Sequence, residues 1–113
     1  MQIQVHTDAN VQGSEQLAAE VRAAVNGALG HLADHVSRVE VHLGDENGKK
    51  GGADDKRCMI EARVEGRPPI AITHHAATVA LAVDGAADRL RRSLEEARDR
   101  AQEARHHPRP HRP

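Results

Sequence analysis

Phenylalanine, tyrosine and tryptophan are all absent from the 113 residues. A core must therefore be assembled from Val, Leu, Ile, Met and many alanines, whose small side chains bury little area each, so close helix-on-sheet packing is implied. The same absence argues against binding modes that stack bases on Phe, Tyr or Trp, including the sheet surface of an RRM and most OB-type single-strand platforms. Arginine stacking stays open. Cysteine is nearly absent too: Cys58 alone permits neither an internal disulfide framework nor a cysteine-based zinc site, and fits a reducing, cytoplasmic setting. No apolar run approaches the roughly 20 residues of a membrane span. Met1-Gln2-Ile3-Gln4-Val5 has neither the basic start nor the apolar run of a signal peptide. A soluble protein with no membrane partner is expected.

Charge is present but unevenly spread. Residues 1–48 hold two basic residues, Arg22 and Arg38, against seven acidic ones, whereas residues 49–113 hold fourteen basic against ten acidic. The formal net charge of −1 thus conceals a basic second half. Such a half can still hold phosphate, because screening over about 8 Å in physiological salt limits how far the acidic half is felt.

Periodicity gives an order of elements. Ile3 and Val5 alternate with Gln2, Gln4 and His6, a short first strand. Ser14 can cap a helix from about Glu15 to Ala33, with Leu17, Val21, Val25, Leu29 and Leu32 at three-to-four-residue spacing. Gly27 and Gly30 weaken its end. Val39, Val41 and Leu43 mark a second strand, and Cys58, Ile60, Ala62 and Val64 a third. The glycine-rich, charged stretch from Gly44 to Asp55 between them is longer than a hairpin turn needs. Glu65-Gly66-Arg67-Pro68 turns the chain into a fourth strand at Ile70 and Ile72. From about Ala77, Val79, Ala82, Val83, Ala86, Leu90, Leu94, Ala97 and Ala101 form one long helical stripe.

At this length one core is expected, placing a single domain over residues 1–104 and a disordered basic Pro/His tail over 105–113. The fold class is α+β, with βαβββα order and a four-stranded sheet carrying both helices on one face. Arg38, Glu40, His42, Arg57, Met59, Glu61 and Arg63 are assigned to the opposite, solvent-facing side.

Catalytic chemistry is hard to assemble from these residues. His31 and His35 stand at i, i+4, and His74-His75 and His106-His107 are adjacent. None completes a metal signature, since His31-Leu32-Ala33-Asp34-His35 lacks the glutamate of HEXXH, and solvated or strand-surface histidines are the default. Cys58 falls on the inward strand face, where a cysteine behaves as a small hydrophobe. Asp54 and Asp55 beside Lys56 and Arg57 read as a solvated turn, and Gly48-Lys49-Lys50-Gly51-Gly52 lacks the order of a P-loop. No enzyme, metal, cofactor or small-molecule substrate is expected. The long helix carries more: Arg89 and Arg92 share one flank, while Arg91, Arg98 and Arg105 recur at seven-residue spacing on the other. Nearby Asp88, Glu95, Glu96, Asp99 and Glu103 make helix salt bridging the plain alternative to phosphate binding.

The order of elements, the stretch from Ala82 to Leu94 and the stretch from Asp54 to Arg63 together resemble the ribosome hibernation-promoting factor and ribosome-associated inhibitor family over residues 1–102. The resemblance implies a fold akin to double-stranded RNA-binding domains. It also implies a non-enzymatic regulator lodged in the small ribosomal subunit, where it contacts ribosomal RNA and idles translation under stress or in stationary phase. Arg89 and Arg92 fall on basic positions of the family helix, with Lys56, Arg57 and Arg98 as further RNA-binding candidates. Phosphate contacts of this kind are charge-assisted, salt-sensitive and poor in base specificity. Helix one carries Ala24, Gly27 and Gly30 where the family usually brings basic residues. The chain resembles short family members, without the separate C-terminal domain that long members use to pair ribosomes. The alternative is a protein-interaction module, or a homo-oligomer, using the open sheet face around Met59.

Overall fold

The computed structural model describes residues 1–46 and 55–106, with the side chains of 104–106 left aside. Most of the Gly44–Asp55 loop and of the basic tail therefore lies outside the described residues. The elements are β1 (Gln2–Thr7), α1 (Glu15–Leu29), a 3-10 segment (Gly30–His35), β2 (Val36–Asp45), β3 (Lys56–Val64), β4 (Ile70–Ala76) and α2 (Val79–His106). This is the expected α+β, βαβββα arrangement. The strands form one sheet in the order β1-β2-β3-β4. β1 runs parallel to β2, with α1 in the crossover, and the other pairs are antiparallel.

Local chemistry sets the boundaries. The Ser14 hydroxyl accepts the Leu17 N–H at 3.0 Å, closing the first turn of α1 as the sequence suggests. α1 does not reach Ala33: it ends at Leu29, and Gly30, at φ 54°, turns the chain into the tighter 3-10 segment. Only glycine takes that conformation without strain. Leu32 is buried from the 3-10 segment all the same, so the apolar spacing persists while the helix type changes. β2 begins at Val36, earlier than alternation suggests, because a bulge between Val36 and Arg38 lets Val36 and Val39 both face inward. Thr78, unrecognised in the sequence, caps α2 by accepting the Leu81 N–H at 3.1 Å.

The core lies between the sheet and the two helices. Ile3, Val39, Val41, Leu43, Cys58, Ile60 and Ala62 cover the inner sheet face, and Val21, Val25, Leu29, Ala82, Val83, Ala86, Ala87, Leu90 and Leu94 meet them from the helices. Three of these helical residues are alanines, which brings α2 close to β3 and β4. One contact is closer still. His74 alternates with Ile72 and Ala76 on the inner side of β4, and its ring fills the notch left by Gly85 of α2, where any Cβ would collide with it. His74 is therefore half-buried on the helix-facing side of the sheet.

On each edge strand one carbonyl is bonded by a helix arginine. Arg22 Nε donates to the Ile3 carbonyl at 3.4 Å on β1, and Arg89 Nη1 donates to the Thr73 carbonyl at 3.0 Å on β4. Occupied edge carbonyls are poor templates for another strand.

Alanine in place of Gly85 ordinarily favours a helix by about 1 kcal/mol. Here Gly85→Ala is expected to destabilise the protein by about 1–3 kcal/mol through overpacking against His74. In a His74→Ala background the same change should stabilise, and urea unfolding of the four variants measures the reversal. Burial pushes the Cys58 thiol up from 9.0 to about 12. The unfolded chain releases this proton first, so stability should fall as pH rises from 9.0 towards about 12. Unfolding curves across that range should lose part of this slope in Cys58→Ala.

A candidate nucleic-acid interface along helix two

The five basic candidates do not form one patch. Lys56 Nζ lies 2.7 Å from Asp55 Oδ1 and 3.3 Å from Asp45 Oδ2. The Asp55 carboxylate, helped by Asp45, holds its ammonium above the usual lysine range. Asp55 is itself almost wholly buried, and among the described residues its Oδ2 has no hydrogen-bond partner. Together with the bond from the Glu46 N–H to the Asp55 carbonyl (3.0 Å), this pairing ties β2 to β3 where the intervening loop leaves the sheet. Arg57 lies on the open sheet face, with Nε 3.9 Å from Glu46 Oε1. Glu46 in turn meets His75 Nε2 at 2.9 Å.

Arg89 and Arg92 do come together. With Ser93 and the β4 residues Ala71, Ile72 and Thr73 they line a shallow groove of about 390 Å³ between the β4 edge and α2. Arg89 is oriented by the Thr73 carbonyl. Arg92 reaches into solvent, its side chain 66% exposed, and Nη2 lies 2.7 Å from Asp88 Oδ2. Asp88 also receives Arg91 Nη2 at 2.7 Å, while Arg91 Nη1 meets Glu95 at 2.6 Å. The Arg91 bond holds the Asp88 carboxyl below its usual range, and the same pairing raises Arg91. Arg91 is thus committed to the helix surface, as the salt-bridging alternative has it. Arg92 has one exposed partner, and such pairs contribute about 0.3–0.5 kcal/mol, little enough for a phosphate to displace.

Arg98 occupies the other flank. It borders a second groove of about 400 Å³ with Leu32, His35, Arg67, Leu94 and Ala97, and its Nε lies 3.5 Å from Asp99 Oδ1. Thr73, Ser93, Glu65, Arg67 and Gln102 line these grooves without having been candidates from the sequence. Ser93 follows Arg92 directly and could have been found from helical spacing; Arg67 reaches its place only through the β3–β4 turn.

The family model described as sigma 54 modulation protein / S30EA ribosomal protein matches residues 3–102. No curated protein matches the chain. Among solved structures, a ribosomal subunit interface protein from Coxiella burnetii is similar at TM-score 0.73 and 15% identity, over 88% of this chain and 99% of that one. The N-terminal domain of Protein Y from Thermus thermophilus is similar at TM-score 0.62 and 20% identity, over 86% and 99%. At these identities the two structures speak for the fold.

Removing the Lys56 ammonium leaves Asp55 buried without its compensating charge. Lys56→Ala should therefore lower the urea midpoint of unfolding relative to the wild type, as expected for a stranded buried acceptor. Arg98→Ala, at an exposed pair, should stay within about 0.5 kcal/mol.

Proposed function

The chain belongs to the family of sigma 54 modulation proteins and S30EA ribosomal proteins, and from that premise we propose that it is a non-enzymatic translation regulator of the cytoplasm. It binds the small ribosomal subunit through ribosomal RNA and idles ribosomes under stress or in stationary phase. The observation that carries this reading is the β4–α2 groove, where Arg92 is exposed beside an Arg89 already held by the strand. A preoriented guanidinium next to an exposed one suits two successive backbone phosphates, read by shape rather than by base. Arg57 on the open face and Arg98 on the opposite flank are secondary contacts in this proposal. Lys56 anchors the strand ends and contacts RNA only where its two carboxylates leave a proton donor free.

The open sheet face offers less to a protein partner. Met59 is half-buried in register with His42 and Thr73. The exposed large hydrophobic residues, among those described, are Met1 and Leu81, away from it.

Sedimentation of extracts from starved cells at low salt should carry the protein with small subunits or whole ribosomes. Arg89→Glu combined with Arg92→Glu should shift it to the top of the gradient and, with purified subunits, flatten the salt dependence of binding. Unchanged binding by the double variant would move the interface elsewhere. Wild-type protein left at the top of the gradient, with ribosomes migrating normally, would end the ribosomal reading.

A further inference from the structure

Where α1 and α2 lie side by side on the sheet, small side chains leave a groove between them. Leu17 and Ala24 of α1 and Val79 of α2 stand half-buried along it, above the buried Val21 and Val83. Its volume is about 320 Å³, room for an aliphatic side chain. Glu20 borders the groove from α1 and Asp84 from α2, and both are exposed. Among the described residues neither carboxylate meets a cation. Glu20 Oε1 accepts only the neutral Gln16 amide at 3.3 Å, and the Asp84 side chain makes no hydrogen bond. By contrast, Asp88, Glu95 and Asp99 further along α2 each lie against an arginine. Arg22, the single cation of α1, is turned to the Ile3 carbonyl, and α2 has no cation before Arg89.

We propose that this groove docks a short basic segment of a partner protein. One aliphatic side chain of the segment seats between Leu17, Ala24 and Val79, and lysine or arginine on either side of it reaches Glu20 and Asp84. An apolar anchor bordered by complementary charge gives a small contact both affinity and orientation. The anchor loses water from apolar surface, and the two carboxylates gain partners without first breaking an ion pair. That differs from the Arg92 surface, where Asp88 must be displaced. The same carboxylates repel phosphate, so the groove selects protein over nucleic acid. It shares no lining residue with the groove between β4 and α2 and does not depend on RNA binding.

The test titrates the full chain with a synthetic peptide, acetyl-Lys-Arg-Leu-Leu-Arg-Lys-amide, and follows the protein's methyl groups by NMR. Those of Leu17, Ala24, Val79 and Val83 should move first, and binding should weaken as salt rises. Glu20→Lys with Asp84→Lys should weaken binding about tenfold or more, and Glu20→Gln with Asp84→Asn about threefold or more. Serine in place of both leucines of the peptide should also weaken it about tenfold. No methyl shift at millimolar peptide, first shifts elsewhere, or charge variants that bind within about twofold of the wild type would overturn the proposal. So would equal binding of the serine peptide, which is counterion attraction alone, or a single-stranded RNA oligonucleotide that moves the same methyl groups. Should the lysine variant unfold, the neutral variant and the wild-type shift pattern decide.

Discussion

The close seat of α2 on β3 and β4 governs the rest of the molecule. Without aromatic side chains to fill a wider gap, the helix must approach the sheet through Ala82, Ala86 and Ala87, and the notch at Gly85 admits the His74 ring. This approach fixes the rotation of α2 about its axis. Once Leu90 and Leu94 point inward, helical geometry leaves Arg89 and Arg92 at the β4 edge and Arg98 on the far flank. The position of the charged surface is thus a consequence of core packing. The bond from Arg89 to the Thr73 carbonyl then occupies one carbonyl of the edge strand and orients a cation with one contact.

Charge on that flank is held in reserve. Asp88 clamps Arg91 and Arg92 together, and Glu95 completes the Arg91 pairing. In the free protein the clamp offsets much of the positive field, consistent with a formal net charge of only −1. A phosphate meeting Arg92 replaces a weak exposed pair by a charge-assisted bond and releases counterions from the nucleic acid. Binding of this kind is expected to be strongly salt-dependent and indifferent to base identity. Ala24 and Gly27 of α1, and Gly30 just beyond it, bring no cation at those positions, so under the proposed function α2 would carry a larger share of the phosphate contacts.

Most of the fold was legible because its signals are local. Alternation in Val39-Glu40-Val41-His42-Leu43, the Ser14 cap and the long stripe from Val79 each arise within a few residues. What escaped depended on partners distant in sequence or on a break in period. The bulge near Ser37 hid the start of β2, and Gly30 changed α1 to a tighter helix without disturbing the burial of Leu32. His74 looked like a surface histidine because its cavity is made by Gly85 on another element. Within the site, the two arginine flanks followed from helical spacing, whereas the capture of Lys56 by Asp45 and Asp55 required the strand register.

The most direct test asks which face of the bound protein looks at RNA. Cys58 is buried and its thiol is held protonated, so an iron chelate can be tethered selectively to a cysteine introduced at Glu96, beside the Arg89–Arg92 flank, or at Glu61, on the open sheet face. With small ribosomal subunits, hydroxyl radicals from the Glu96→Cys position should cut ribosomal RNA strongly and those from Glu61→Cys only weakly. Strong cutting from Glu61→Cys with little from Glu96→Cys would contradict the assignment of α2 as the RNA-facing element.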